Sequence, residues 1–180
     1  MNISKWILDK YGWKFVVNAP IAPKCVICVA PHTSNWDFIL GELAIRSVGK
    51  SAGFLMKSTW FFPPLGFFMR KIGGIPVVQK RHTHVTDTVV EAFNHATEMA
   101  VAVTPEGTRS PNPNWHKGFL YIAHAASVPV LLAYIDYGSK TICIDREFKP
   151  TGDPEADLLE LKKYYQGKQA RYPHKFVTGL

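Results

Sequence analysis

Continuous apolar runs alternate with runs of helical spacing along the whole chain. Residues 24–30, Lys-Cys-Val-Ile-Cys-Val-Ala, read as a buried strand, and an apolar helix follows over 35–48. Further strands are predicted at 53–57, 75–78 and 100–104. Between the last two, Val85, Val89, Phe93 and Ala96 recur at helical spacing over 84–98, with Asp87, Glu91 and Glu98 off that face. A largely apolar helix is predicted over 115–126, then a strand pair at 129–135 and 140–148 joined through Tyr137-Gly138. The chain closes on an amphipathic helix over 153–168 with Leu158, Leu161 and Tyr165 on one side. Strand–helix alternation with continuous apolar strands predicts an α/β fold. The expectation is a single layered domain over residues 1–180, with a largely parallel mixed sheet flanked by helices and an antiparallel pair near the end.

Composition narrows this picture modestly. The length suits one domain, and a hydrophobic fraction of 47% is globular rather than disordered. The formal net charge of +7 favours an anionic partner. Cys25, Cys28 and Cys143 are an odd number and suit a reducing compartment rather than a disulfide framework. Cys25 and Cys28, three apart on a strand, point to opposite faces and read as core residues, not as a metal pair. Asp9 and Lys10 interrupt the apolar start, so no signal peptide is expected, and no run approaches the roughly 20 residues of a membrane span. Residues 1–20 interleave Trp6, Tyr11, Trp13 and Phe15 with Lys5, Lys10 and Lys14. That pattern suits a membrane-interface helix and equally a terminal helix docked on the domain's own core.

Candidate chemistry lies just past two strands. The first strand ends at Pro31, and His32-Thr33-Ser34-Asn35-Trp36-Asp37 follows. A histidine beyond the carboxyl end of a strand stands where open α/β sheets place their sites. Asp37 at this spacing holds the imidazole in one tautomer, which makes it a general base near neutral pH. Ser34-x-x-Asp37 before an apolar run is also a helix-capping box, so Asp37 has a structural reading beside the catalytic one. The strand over 100–104 releases Pro105-Glu106-Gly107-Thr108-Arg109-Ser110-Pro111. Taken alone, that is either a phosphate cradle built on the forked Arg109 or a polar surface turn.

Read together, His32-x-x-x-x-Asp37 and, some seventy residues on, Glu106-Gly107-Thr108-Arg109-Ser110 resemble the glycerolipid acyltransferase family, typified by 1-acylglycerol-3-phosphate acyltransferases. Lys57 through Gly66 to Gly73-Gly74-Ile75-Pro76-Val77, ending in Lys80-Arg81, is similar to that family's second block. Lys117-Gly118 and Val128-Pro129-Val130 are similar to its closing one. The resemblance covers about residues 22–137. It implies that His32 deprotonates an acceptor hydroxyl while Asp37 orients it, and that the alkoxide attacks an acyl thioester directly. It also implies substrate contacts from Glu106, Gly107, Thr108, Arg109 and Ser110, with Arg81 and Lys57 from the second block. The donor would be an acyl-CoA or acyl-carrier-protein thioester, with no resident cofactor and no metal. The acceptor would be a lysophospholipid, a glycerol phosphate or a related lipid, met at an anionic membrane surface. The expected location is cytoplasmic and peripheral, at the inner face of the membrane. The segment Val77-Val78-Gln79-Lys80-Arg81 lacks the family's usual acid or aromatic positions near its arginine, which leaves the acceptor open.

Other signals carry less. Gly49-Lys50-Ser51-Ala52-Gly53 matches the serine-hydrolase elbow, but that motif needs a strand before the serine and a helix after it, and here the order is reversed. His82, His84 and His95 have no recognisable ligand spacing. The basic residues are scattered and no nucleic-acid motif accompanies them, so no nucleic acid is expected as a partner. Two rival readings stand beside acyl transfer: a non-catalytic peripheral lipid-binding protein of the same fold, and a hydrolase using Ser51.

Overall fold

The computed structural model describes residues 2–77 and 85–180. In chain order the elements are α1 (Ile3–Lys10), β1 (Lys14–Val17), β2 (Lys24–Val29), α2 (Asn35–Ser47), β3 (Gly53–Lys57), α3 (Leu65–Lys71), β4 (Gly74–Val77) and α4 (Val85–His95). They continue with β5 (Met99–Val103), α5 (Gly118–Ala125), β6 (Val130–Asp136), β7 (Thr141–Phe148) and α6 (Pro154–Tyr165). The strands form one seven-stranded sheet in the order β1-β7-β6-β2-β5-β3-β4, parallel at every pairing except the antiparallel β6–β7. The alternating side chains of β2 explain the layering. Val26 and Cys28 pack with Val89, Phe93, Phe119, Leu120, Leu158 and Leu161, so α4, α5 and α6 cover one face. Cys25 and Ile27 pack with Ile45 on the other face, where Leu8 of α1 joins Leu40 and Ala44 of α2. The two cysteines thus lie in different cores, on opposite faces of one strand. All three thiols are free and buried.

Several boundaries differ from the sequence-based expectation, four of them for a clear local reason. The helix of the first twenty residues stops at Lys10, because Gly12 takes φ +74° and Lys14–Val17 then pairs in parallel with β7 as an edge strand. Helix α3 begins inside the aromatic stretch at 60–69 and runs on to Lys71, with Pro63 and Pro64 ahead of its first residue, where a missing N–H costs nothing. Helix α5 starts at Gly118 rather than 115, since the His116 N–H is committed to the Pro105 carbonyl at 2.7 Å. Helix α6 begins on the Asp153 cap, with Pro154 as its first residue, and ends at Tyr165, ahead of Gly167 at φ +88°. Val78 and His84, the expected ends of the fourth strand and of the following helix, lie outside the described residues.

The site follows from this topology. Strands β2 and β5 are parallel neighbours at the sheet centre, paired from Lys24↔Met99 to Cys28↔Val103. The chain leaves β2 for α2 on one face and leaves β5 for α5 on the other. Two adjacent carboxyl ends with departures to opposite faces open a crevice between them, where doubly wound sheets bind ligands.

Candidate active site

The turn after β2 builds the dyad from the backbone outward. Ser34 caps α2, accepting the Trp36 N–H on its hydroxyl at 3.2 Å, while the Asp37 carboxylate answers the Ser34 N–H at 2.8 Å in a full capping box. Asp37 Oδ2 also accepts the Thr33 N–H at 2.8 Å and lies 3.2 Å from His32 Nδ1. Capping and pairing are therefore one arrangement: the turn that starts the helix fixes the carboxylate against the imidazole. The His32 side chain keeps 19% of its surface exposed and Asp37 only 3%, so a substrate can reach the ring but not the acid. With Nδ1 turned to the carboxylate, that nitrogen carries the proton and Nε2 is left as the open basic position. Burial alone would raise the Asp37 carboxyl. Hydrogen bonds from His32, Tyr137, Ser34 and Thr33 outweigh it and hold the group below its ordinary range.

The second segment closes on the same turn. Glu106, buried after β5, accepts the His32 backbone N–H on its carboxylate at 2.9 and 3.2 Å. Burial pushes its carboxyl up to about 8, against the pull of that N–H and with the Asp37 charge adding to the rise. The structure thus brings Glu106 to the histidine's main chain. Gly107 takes φ +65° under the His116 ring, where a Cβ would collide with the imidazole, so only glycine fits. The Asn112 amide ties the loop by donating to the carbonyls of Glu106 at 2.8 Å and Asn114 at 3.1 Å. Thr108 Oγ1 accepts the Ser110 N–H at 3.2 Å, and Arg109 and Ser110 are exposed. Lys57 closes β3 at the same edge of the sheet. Arg81 lies outside the described residues.

One contact had no local signal in the sequence. The Tyr137 hydroxyl, just past β6, donates to Asp37 Oδ1 at 2.6 Å, the oxygen His32 does not use. Because β6 pairs directly with β2, the end of β6 comes up beside the turn after β2. Burial and the Asp37 carboxylate hold the tyrosine hydroxyl far above its ordinary range, so it acts as a fixed donor. Among the described residues no group of three His, Cys, Asp or Glu side chains is placed to hold a metal ion. Burial raises the Cys28 thiol to about 12 and the Cys25 thiol to about 11, so neither supplies a thiolate nucleophile. Ser51 stands between α2 and β3, at the amino edge of the sheet. It borders an open cleft of about 360 Å³ lined also by Lys50, Glu98 and Met99, at the opposite end of the strands from His32.

A histidine reachable by substrate, a buried acid holding its far nitrogen, and a crevice at the carboxyl ends of parallel strands equip this edge to take a proton from a bound hydroxyl. No curated protein matches the chain. The family model described as Acyltransferase matches residues 16–135, which contain both site segments and six of the seven strands in whole or part. On that match the chain belongs to the acyltransferase family.

Proposed function

We propose that this acyltransferase moves a fatty acyl group from an acyl thioester, of CoA or a carrier protein, to the hydroxyl of a lysophospholipid, glycerol phosphate or related lipid. The observation that carries the reading is the 3.2 Å pair of His32 Nδ1 with the buried Asp37 carboxylate, which leaves Nε2 open at the crevice. Nε2 accepts the acceptor's hydroxyl proton as its oxygen attacks the thioester carbonyl. The C–S bond then breaks, and the departing sulfur takes the proton back from His32 as a thiol. A thiol with pKa near 8.5 leaves readily, so no acyl-enzyme is needed. Asp37 stabilises the imidazolium between the two transfers, and the neutral form of Glu106 at neutral pH spares the imidazole a second buried anion.

Exposed Trp36, Phe38 and Ile39 on the first turns of α2, with Phe62, Phe67 and Phe68 around the start of α3, support an apolar substrate met from the side. No helix among the described residues is long and apolar enough to cross a membrane. Thiol release from an acyl-CoA panel, with and without lysophospholipids, tests the proposal. Release should require an acceptor and fall by about a hundredfold to ten-thousandfold in His32→Ala, the order contributed by a positioned catalytic base. Release without acceptor would assign a thioesterase instead, and full activity in His32→Ala would remove the dyad from the reaction.

A further inference from the structure

The segment after α6 returns across the carboxyl edge of the sheet and is pinned there. Gln169 donates its N–H to Asp136 Oδ2 at 3.1 Å and accepts the Tyr137 N–H at 2.9 Å. Ala170 is buried, the Tyr172 N–H donates to Thr33 Oγ1 at 3.3 Å, and Trp115 Nε1 donates to the Val177 carbonyl at 3.1 Å. Between these ties stands Arg171. Its guanidinium carbon is 5.5 Å from the Trp36 ring centre, 5.7 Å from Tyr172 and 5.9 Å from Tyr137. It also stands beside Tyr137, whose hydroxyl donates to Asp37. Arg171 is therefore one residue removed from the dyad. No ion pair among the described residues includes it, and the sequence holds no Asp or Glu after Glu160.

Rings and anions use different parts of a guanidinium. Cation–π contacts occupy its flat surface and consume no N–H donors, whereas a phosphate or carboxylate binds the in-plane fork. Arg171 has five N–H groups, and its contacts with the rings consume none of them. The residue is exposed, and the rings and the pinned backbone order its side chain, which lowers the cost of binding. We propose that Arg171 is an anion-recognition residue of this site, taking a phosphate carried by one of the two substrates. The inference rests on the acyl-transfer reading for the identity of those substrates. It adds a specificity determinant from outside the family-matched residues, since Tyr137, Arg171 and Tyr172 all follow residue 135. The phosphate comes from the acceptor's headgroup or from the nucleotide part of a CoA donor, and the two are separable.

The test uses the full chain with Arg171→Gln and Arg171→Lys. Inorganic phosphate titrated into ¹⁵N-labelled protein should give a saturable shift of the Arg171 Nε–H at millimolar concentration. Parallel shifts of the Tyr172 and Trp36 amides report the same event in the variants. Arg171→Lys, which keeps the charge and loses the fork, should bind about tenfold more weakly, and Arg171→Gln should not bind. Initial rates then compare a phosphate-bearing lysolipid with its neutral monoacylglycerol, and acyl-CoA with an acyl N-acetylcysteamine thioester that carries no phosphate. A rise in KM of about tenfold in Arg171→Gln for the phosphate lysolipid alone assigns the acceptor headgroup; the same rise for acyl-CoA alone assigns the donor. Phosphate binding unchanged by Arg171→Gln, no saturable binding to the parent, or unmoved KM values for every substrate of an active enzyme would each overturn the proposal. Phosphate binding lost in Arg171→Gln by a chain that transfers no acyl group would leave the site standing and remove the transferase reading.

Discussion

Asp37 has two oxygens with separate duties, and the division predicts what each partner is worth. Oδ2 serves His32 and two backbone N–H groups, while Oδ1 has the Tyr137 hydroxyl at 2.6 Å. Tyr137→Phe keeps the ring and its edge contact with Trp13 at 5.1 Å between centroids, and removes only the donor. A buried carboxylate oxygen left without its partner costs about 1–3 kcal/mol. The variant should therefore unfold at lower urea, and its kcat should fall about tenfold with little change in KM, because the loss is in orientation of the base rather than in substrate binding. Equal kcat would reduce Tyr137 to a packing residue. Glu106 gives a prediction in pH. Its carboxyl is raised from the ordinary 4.5 to about 8, so the folded chain holds this proton more tightly than the unfolded one. The contribution to stability is complete below about pH 4.5 and is lost as pH rises through 8. Glu106→Gln keeps an oxygen for the His32 N–H and cannot ionise. Its stability relative to the parent should grow between pH 5 and pH 8 by on the order of a few kcal/mol, measured by urea unfolding at each pH. Parallel stability curves would contradict the burial argument. His32, Asp37 and Glu106 were legible because each stands a few residues past an apolar strand. Tyr137 and Arg171 were not, since they reach the turn after β2 only through the β2–β6 pairing and the pinned final segment.

At the scale of elements, what the sequence showed was periodicity, and what it missed was pairing and caps. β2 and β6 are apolar runs buried on both faces, and β5 is an apolar run that is fully buried only at Val101, which is why their positions could be read. β1 has only four residues, exposed at three of them, and its apolar signal merges with that of the preceding helix. Only its partner β7 makes it a strand. α3 escaped notice because two prolines and a run of phenylalanines obscure helical spacing. Gly66 allows it to begin, since a Cβ there would run into the Phe61 carbonyl. Capping is where element and site meet. Ser34 caps α2 in the same turn that holds Asp37, so Ser34→Ala should cost about 1 kcal/mol of stability, the usual worth of an N-cap serine. It should also lower transfer, because the Trp36 N–H is released beside the dyad. Ser34→Asn or Ser34→Asp, which restore a cap acceptor, should recover the stability. Unaltered stability in Ser34→Ala would mean that the tertiary packing of Leu40, Ala44 and Ile45 alone holds the start of this helix.

For the whole molecule, the proposed lipid substrate requires a chain with no membrane-crossing helix among its described residues to meet the bilayer from the side. Charge and apolar exposure suggest the same answer. The formal charge is +7, and attraction to an anionic surface is worth about 1 kcal/mol for each well-placed Lys or Arg. Phe62, Phe67 and Phe68 are 55%, 69% and 55% exposed around the start of α3, and Arg70 and Lys71 stand in its last turn. Rings beside cations are the composition of a segment that inserts shallowly among headgroups. α3 follows the carboxyl end of β3, the same edge of the sheet that carries His32. A chain docked there presents its crevice to the bilayer. Binding should then need both terms. The protein should co-sediment with phosphatidylglycerol vesicles and not with neutral phosphatidylcholine, and about 0.5 M salt should release it, because screening at that strength removes most of the surface attraction. Phe67→Ser with Phe68→Ser should weaken vesicle binding at least about tenfold while leaving thermal unfolding nearly unchanged, since both rings are already in water. The same double variant should transfer acyl groups at the parent's rate to a short-chain acceptor free in solution and more slowly to one embedded in vesicles. Equal loss on both would place these phenylalanines in the reaction itself; no loss on either would move the docking face elsewhere, with Trp6 and Lys10 of α1, 4.9 Å apart, the next to be changed.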